Sequence, residues 1–228
     1  MAPEKDTREL SEFLFRACHD LRTPVRAVRT NAELLSKDAE GIPTEDRARC
    51  LEFIVQGAAR LDAMVDGLAR YAVAVQTDPA AFQPTSLDVL FRAVTMRLDK
   101  DLKASGATLT SVDLPRVRGN PDRLMEVLEC LVRNTLLHGG PGATEIRISA
   151  EEAGDGWVIT CQDNGVGVDP PYLETIFRPF ERLQGKNSKG GPGLGLTVCR
   201  AILERHGGKI WAEHTGTGMT VRFTIPKA

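Results

Sequence analysis

Aromatic side chains make up only 5% of this 228-residue chain, which leaves no stock of stacking residues for single-stranded nucleic acid. An excess of one charge is missing as well. Lys and Arg total 29 against 31 Asp and Glu, a formal net charge of −2, and the charges are dispersed rather than gathered in runs. No nucleic-acid partner is expected. Long apolar runs are also absent: Ala72 to Val75 and Ile159 to Cys161 fall far short of the roughly 20 residues that span a bilayer. Met1-Ala2-Pro3-Glu4-Lys5-Asp6 has no signal-peptide hydrophobic region, so a soluble chain without a membrane span is expected. The five cysteines, Cys18, Cys50, Cys130, Cys161 and Cys199, form no CxxC pair and lie in apolar patterns. They argue for reduced thiols in a cytoplasmic setting, with neither a disulfide framework nor a zinc site. What is present is 42% hydrophobic residues, enough for one large cored domain or two small ones.

In the first third, Leu10, Leu14, Ala17, Leu21, Val25, Val28, Ala32 and Leu35 step by three or four, which predicts one long helix. Asp38-Ala39-Glu40-Gly41-Ile42-Pro43 supplies the breakers, and Thr44, with Glu45 and Asp46 behind it, reads as the N-cap of a second helix. That helix carries Leu51, Ile54, Ala58, Leu61, Val65, Leu68, Ala72 and Val75 in the alternating pattern of a bundle seam. A lone hairpin buries only part of two such stripes. A second copy completes them, so a homodimeric four-helix bundle is expected; the alternative is that both helices pack on the rest of their own chain.

Thr77 to Pro84 reads as a linker, after which the pattern changes. Helices are predicted at about Leu87 to Ser105, Pro121 to His138 and Gly193 to His206. Strands are predicted at Thr108 to Val112, Glu145 to Glu151, Trp157 to Gln162, Lys209 to Glu213 and Thr220 to Ile225, the last two forming a hairpin around Thr215-Gly216-Thr217-Gly218. This is a mixed α/β layer without regular βαβ alternation. The division expected is residues 1–77, a linker at 78–84, and a second domain over 85–228.

His19 lies two residues from both Ala17 and Leu21, roughly 200° from the seam at about 100° per residue, and so faces water. Its neighbours are Asp20, which can fix the imidazole tautomer, Arg22, and Thr23 one turn on. Pro24 removes the hydrogen bond to the Asp20 carbonyl and predicts a bend just beyond His19. An exposed histidine beside an acid is, by itself, most often a solvated surface residue. The surrounding string, Phe13-Leu14-Phe15-Arg16-Ala17-Cys18-His19-Asp20-Leu21-Arg22-Thr23-Pro24-Val25, resembles the phosphoacceptor box of sensor histidine kinases of two-component systems. That resemblance implies that His19 is phosphorylated, that Asp20 activates it, and that Thr23 positions water in a phosphatase reaction.

Three later segments read as a nucleotide pocket. Asn134 sits on a helix, where its amide oxygen can ligate a hard cation such as Mg²⁺. Asp163-Asn164-Gly165-Val166-Gly167 follows an apolar strand, delivering a carboxylate that can accept from the exocyclic amine of adenine, or making an ordinary turn. Gly190-Gly191-Pro192-Gly193-Leu194-Gly195-Leu196 precedes a helix, and its amides can bind an anion. It is neither a Walker loop nor a dinucleotide fingerprint.

In this order the segments resemble the N, G1, F and G2 boxes of the histidine-kinase catalytic domain, an α/β two-layer sandwich of the gyrase and histidine-kinase ATPase type. The F box is Ile176-Phe177-Arg178-Pro179-Phe180-Glu181-Arg182, and Gly216 to Phe223 also fits. The resemblance implies ATP and Mg²⁺ as cofactors and a response-regulator receiver domain as partner. The nucleotide contacts it implies are Asn134, His138, Asp163, Gly165, Gly167, Phe177, Arg182, Gly191, Gly193, Leu194 and Gly195, with Asn134 as metal ligand. It makes Gln184 to Lys189 a lid, with Lys186 and Lys189 as phosphate contacts or merely solvated loop lysines.

The chain departs from the family at several points. Cys130 stands where a second Asn, or in gyrase-type ATPases a catalytic Glu, is usual, which leaves water activation for simple ATP hydrolysis unsupported. Leu137 replaces a Lys, His138 an aromatic residue, and Pro192 a small hydroxyl residue. Cys130, Leu137 and Pro192 favour the rival reading, a histidine phosphotransferase or phosphatase with a weakened nucleotide site. A second rival is a dimeric scaffold without chemistry, for which His19→Ala would be silent. The reading adopted is a histidine autokinase that passes the ATP γ-phosphoryl to His19 and on to a response-regulator aspartate, and that can also act as its phosphatase.

Overall fold

The computed structural model describes residues 3–37, 43–139, 144–183, 190–214, 216 and 218–228, with the backbone alone described for 3–11 and 37. Two helices form an antiparallel-type hairpin, α1 (Pro3–Lys37) and α2 (Thr44–Val75). Helix α1 runs on through Pro24. Thr44 is not the cap of α2: Pro43, at φ −53 and ψ 145, occupies that position without a side-chain bond, and Glu45 and Asp46 supply charge to the first turn. The breakers at 38–42 lie outside the described residues.

The hairpin closes where small residues allow it. A Cβ on Gly57 would stand 2.7 Å from the Val28 side chain, and the Phe13 and Tyr71 rings stack with centroids 4.1 Å apart. The residues α2 buries in its own chain are Gly57, Met64, Gly67 and Ala74. The seam residues lie elsewhere: Leu51, Val65 and Val75 remain 51%, 57% and 44% exposed. Packing on the same chain therefore does not satisfy the stripe.

Thr77 to Pro84 is ordered against the sandwich. Pro79–Ala81 forms a 3-10 turn capped by Asp78, whose carboxylate accepts from the Ala80 N–H at 2.9 Å. The Thr77 carbonyl accepts from Nε and Nη2 of Arg205 at 3.1 and 2.9 Å. Strand β1 (Gln83–Ser86) pairs antiparallel with β3 (Arg116–Gly119); both are strands the sequence did not announce.

The main sheet holds β2 (Thr108–Val112), β4 (Glu145–Ala153), β5 (Gly156–Asp163), β6 (Ile210–His214) and β7 (Met219–Pro226) in the order β2-β4-β5-β7-β6, parallel only at β2–β4. Three helices cover one face: α3 (Leu87–Arg97), α5 (Pro121–His138) and α6 (Gly195–Arg205). Ile146, Ile148, Ile159, Val221 and Phe223 meet Leu124, Leu128, Val198 and Ile202 in the core. The single helix expected over 87–105 is bent: Leu98, fully buried at φ −96 and ψ 7, turns the chain into α4 (Asp99–Ser105), although its N–H still bonds the Val94 carbonyl. Helix α5 opens on Pro121 with Asn120 as cap, its side chain accepting from the Arg123 N–H at 3.1 Å. Helix α6 starts two residues later than expected because Gly193 takes φ +80. No described helix is long and apolar enough to cross a membrane.

His206 joins the end of α6 to the two-stranded sheet. Its Nδ1 donates to the Ile202 carbonyl at 2.7 Å, its Nε2 accepts from the Asn120 N–H at 3.0 Å, and its ring stacks on Phe82. Burial pushes its pKa below the ordinary imidazole value, outweighing the Ile202 hydrogen bond. The unfolded chain therefore binds the proton more readily. The stability this neutral ring contributes is complete above about pH 6.5 and is lost as pH falls toward the folded value. The thermal midpoint should accordingly drop between about pH 7 and pH 5, and less so for His206→Gln; equal slopes for the two proteins would contradict this.

Candidate active site

Helix α1 presents His19 to solvent with 72% of its side chain exposed, as its phase on the helix requires. Nδ1 of His19 lies 2.9 Å from Oδ1 of Asp20. A carboxylate can only accept, so Nδ1 carries the proton and Nε2 keeps a free lone pair. Thr23, also exposed, follows one turn on. His19 and Asp20 line a cavity of about 890 Å³ with Phe15, Arg16, Phe180 and Glu181. Arg16 pairs with Glu181 at 3.3 Å, joining α1 to the segment between β5 and α6. Phe180 adopts φ +62, with its N–H donating to the Gly193 carbonyl at 3.0 Å.

Glu181 lines a second and larger cavity, of about 1250 Å³, roomy for a nucleotide. Asp163 is its best-held polar group. Oδ1 accepts from the N–H groups of Gly165 (2.8 Å) and Met219 (3.0 Å), and Oδ2 from the Thr135 hydroxyl (3.1 Å). The glycines after it are spatial necessities. A Cβ on Gly167, at φ +76, would meet the Gly218 carbonyl oxygen at 2.5 Å, and one on Gly218, at φ +74, would meet that of Asp163 at 1.9 Å.

Asn134, His138, Asp163, Gly167, Arg182, Gly191, Gly193, Leu194 and Gly195 all line this cavity. His138 and Arg182 converge on Gly190, a Cβ on which would lie 3.8 Å from a nitrogen of each. Burial and the neighbouring guanidinium of Arg182 hold the His138 pKa below its ordinary value, so at neutral pH it is an uncharged hydrogen-bonding group. Two expected contacts are placed differently. Phe177 is 1% exposed and belongs to the core, with Arg200 over its ring at 4.8 Å. Gly165 does not line the cavity; its N–H holds the Asp163 carboxylate instead. Lys186 and Lys189 lie outside the described residues, as do Thr215 and Thr217.

Sequence reading missed the wall contributed by the hairpin. Leu194 packs into the space left by Gly67, where a Cβ would approach its Cδ1 to 2.5 Å, and Arg70 of α2 pairs with Glu126 of α5 at 2.8 Å. It also missed Thr135, whose signal was only its place beside Asn134, and the apolar floor of Val168, Ile176 and Met219. On the same wall Glu129 sits below its ordinary pKa. Burial would raise it, but hydrogen bonds from Arg97 and Arg133 prevail.

Comparison with known proteins agrees with this geometry. Residues 9–72 match the His Kinase A (phospho-acceptor) domain, and residues 119–228 the histidine kinase-, DNA gyrase B- and HSP90-like ATPase family. The chain is 32% identical to cyanobacterial phytochrome A of Nostoc sp. over 98% of its own length and 29% of that protein's. It is also 31% identical to the alginate biosynthesis sensor protein KinB of Pseudomonas aeruginosa, over 95% of this chain and 36% of that one. The chain thus spans about a third of these relatives' lengths. Among solved structures, the catalytic domain of histidine kinase ThkA superposes with a TM-score of 0.57 at 29% identity, covering 64% of this chain and 95% of that one. ThkA in complex with response regulator protein TrrA gives 0.69 at 22% identity, covering 99% and 64%. Phosphoacceptor hairpin, ATPase sandwich and their order along the chain converge, and the chain joins the phospho-acceptor domain and the ATPase domain of the histidine kinases.

Proposed function

We propose that the chain is the transmitter core of such a kinase, with residues 1–77 as dimerisation and phosphoacceptor domain, 78–84 as linker and 85–228 as catalytic ATP-binding domain. The observation that carries this reading is the His19–Asp20 pair, which leaves Nε2 unprotonated beside a cavity that shares Glu181 with the nucleotide pocket. Nε2 attacks the γ-phosphorus of ATP, forming an N–P bond as the bond to the β-phosphate oxygen breaks and ADP leaves. The ring becomes cationic, and Asp20 at Nδ1 stabilises that charge. Asp163 selects adenine, while the Gly190–Gly195 amides, His138 and Arg182 bind phosphates.

Mg²⁺ would be held by Asn134 and by the phosphates. The described residues contain no cluster of three or more acidic, His or Cys ligands, which fits a cation that keeps much of its coordination on substrate oxygens and water. Bound there, it neutralises phosphate charge. The rival with a weakened site is disfavoured by the assembled Asp163 network. Phosphoryl transfer to a response-regulator aspartate, and Thr23-assisted dephosphorylation, complete the reading, supported by the ThkA relative solved with its regulator. The five free cysteines support a reducing, cytoplasmic setting.

The test is incubation with Mg²⁺ and γ-labelled ATP. Acid-labile, alkali-stable label is expected, and its absence in a chain that binds ATP would overturn the kinase assignment. Leu51, Val65 and Val75 are proposed to close a homodimer. Val65→Glu should convert the dimer to monomer in sedimentation while the catalytic domain still binds nucleotide; a dimer that survives the charge would place the interface elsewhere.

A further inference from the structure

Among the described residues, Cys130 is the cysteine that lines the nucleotide pocket, and the kinase mechanism leaves it unused. It lies on α5, facing α6, at a tight place: a Cβ on Gly195 would stand 3.0 Å from its sulfur. One turn further along α6 from Gly195 lies the fully buried Cys199. The pair is asymmetric. Cys130 reaches the pocket wall whereas Cys199 does not. The neighbouring Cys199 thiol, with Arg70 assisting, holds the Cys130 thiol below its ordinary pKa against burial and the charges of Glu126 and Glu129, whereas Cys199 is pushed well above its own. A pocket-wall thiol of lowered pKa, with a second thiol one helical turn from its point of contact on the facing helix, is the arrangement of a redox-sensing cysteine and its resolving partner. Cys161, buried and pushed up to about 12, has no such character.

We propose that Cys130 is a peroxide-reactive modification site in the wall of the nucleotide pocket, that Cys199 resolves it, and that the resulting disulfide switches nucleotide binding off. This rests on the nucleotide reading of the pocket. The Cys130 thiolate attacks one peroxide oxygen, the O–O bond breaks, and the departing hydroxide takes up the thiol proton as water, leaving a sulfenic acid. Cys199 sulfur then attacks the sulfenic sulfur, forming the S–S bond and releasing a second water. The two thiols lose two electrons and the peroxide gains them. The disulfide ties α5 to α6 directly beneath the glycine loop that must receive the phosphates. Reduction by a dithiol restores the site.

The experiment treats the reduced chain with hydrogen peroxide, blocks remaining thiols, and maps peptides by mass spectrometry, with binding of a fluorescent ATP analogue followed in parallel. The expected result is a linked pair of peptides containing Cys130 and Cys199, lacking two hydrogens, with loss of nucleotide binding that dithiothreitol reverses. Excess ATP with Mg²⁺ should slow the linkage. Cys199→Ser should form no link and accumulate sulfenic acid at position 130. Cys130→Ser, whatever its own affinity, should show no change on peroxide treatment. Oxidation confined to the exposed Cys18, or undiminished peroxide sensitivity in Cys130→Ser, overturns the proposal. A reduced chain that binds no nucleotide overturns the pocket reading and the switch with it, while the mapped link still reports the thiol pair separately.

Discussion

His19→Ala should abolish phosphoryl incorporation while leaving fold and nucleotide binding intact. The imidazole is largely exposed and bonds to Asp20, its sequence neighbour, so truncation should change stability by no more than about 0.5 kcal/mol. The pocket proposed for ATP does not include it. Label should therefore vanish at unchanged nucleotide affinity, which separates loss of the acceptor from damage to the site. Asp20→Asn provides the graded companion. An amide at Nδ1 no longer enforces the proton there and cannot stabilise the cationic ring, so the rate should fall by about 10²–10⁴-fold with ATP binding retained. Label surviving in His19→Ala would move the acceptor to another residue and remove the foundation of the mechanism.

Asp163 carries the second large effect, and two substitutions divide its duties. Asp163→Ala removes the acceptor of two backbone N–H groups and of the Thr135 hydroxyl. The Thr135 hydroxyl keeps the Leu131 carbonyl as acceptor, but each of the two backbone N–H groups left unpaired costs about 1–3 kcal/mol, so the catalytic domain should melt markedly lower and bind no nucleotide. Asp163→Asn keeps the shape. Its oxygen can still serve Gly165 and Met219, and its NH₂ can donate to the Thr135 hydroxyl. Toward the adenine amine, however, it presents a donor to a donor. Loss of one charge-assisted hydrogen bond predicts a drop in ATP affinity of about 10- to 100-fold with the fold preserved. Calorimetric titration beside a thermal melt reads both quantities. Wild-type affinity in the Asn variant would mean that the carboxylate organises the loop and does not touch the base.

The consequences of small residues were harder to foresee than those of large ones. Gly67 carries no chemistry, yet it gives Leu194 its place against α2 and so brings the hairpin into the wall of the nucleotide pocket. Gly57 does the same for the closure of α1 on α2. Phe177 errs in the opposite direction: its motif suggested ligand contact, and its side chain instead fills the core beneath the site. Cys130, a departure from the expected pattern, acquires meaning only beside Cys199, 69 positions away by subtraction of their residue numbers.

What the amino-acid order determined alone was whatever local rules govern. The period of Leu10 to Leu35 and of Leu51 to Val75 specified two helices. The phase of His19 put it in water, Asn120-Pro121 opened α5 at the residue expected, and turn glycines bounded the longer strands. Such signals act over one or two helical turns, where propensity and periodicity dominate. Only the tertiary structure decided the pairing of the four-residue strands β1 and β3, the bend at Leu98, the docking of Thr77 to Pro84, and the meeting of Thr135, Asp163 and Met219. The hydrogen bonds that hold Asp163 join residues 28 and 56 positions apart. Contacts at that range form because the burial of a shared core brings the elements together, and no pattern within one element records which partners that packing will choose.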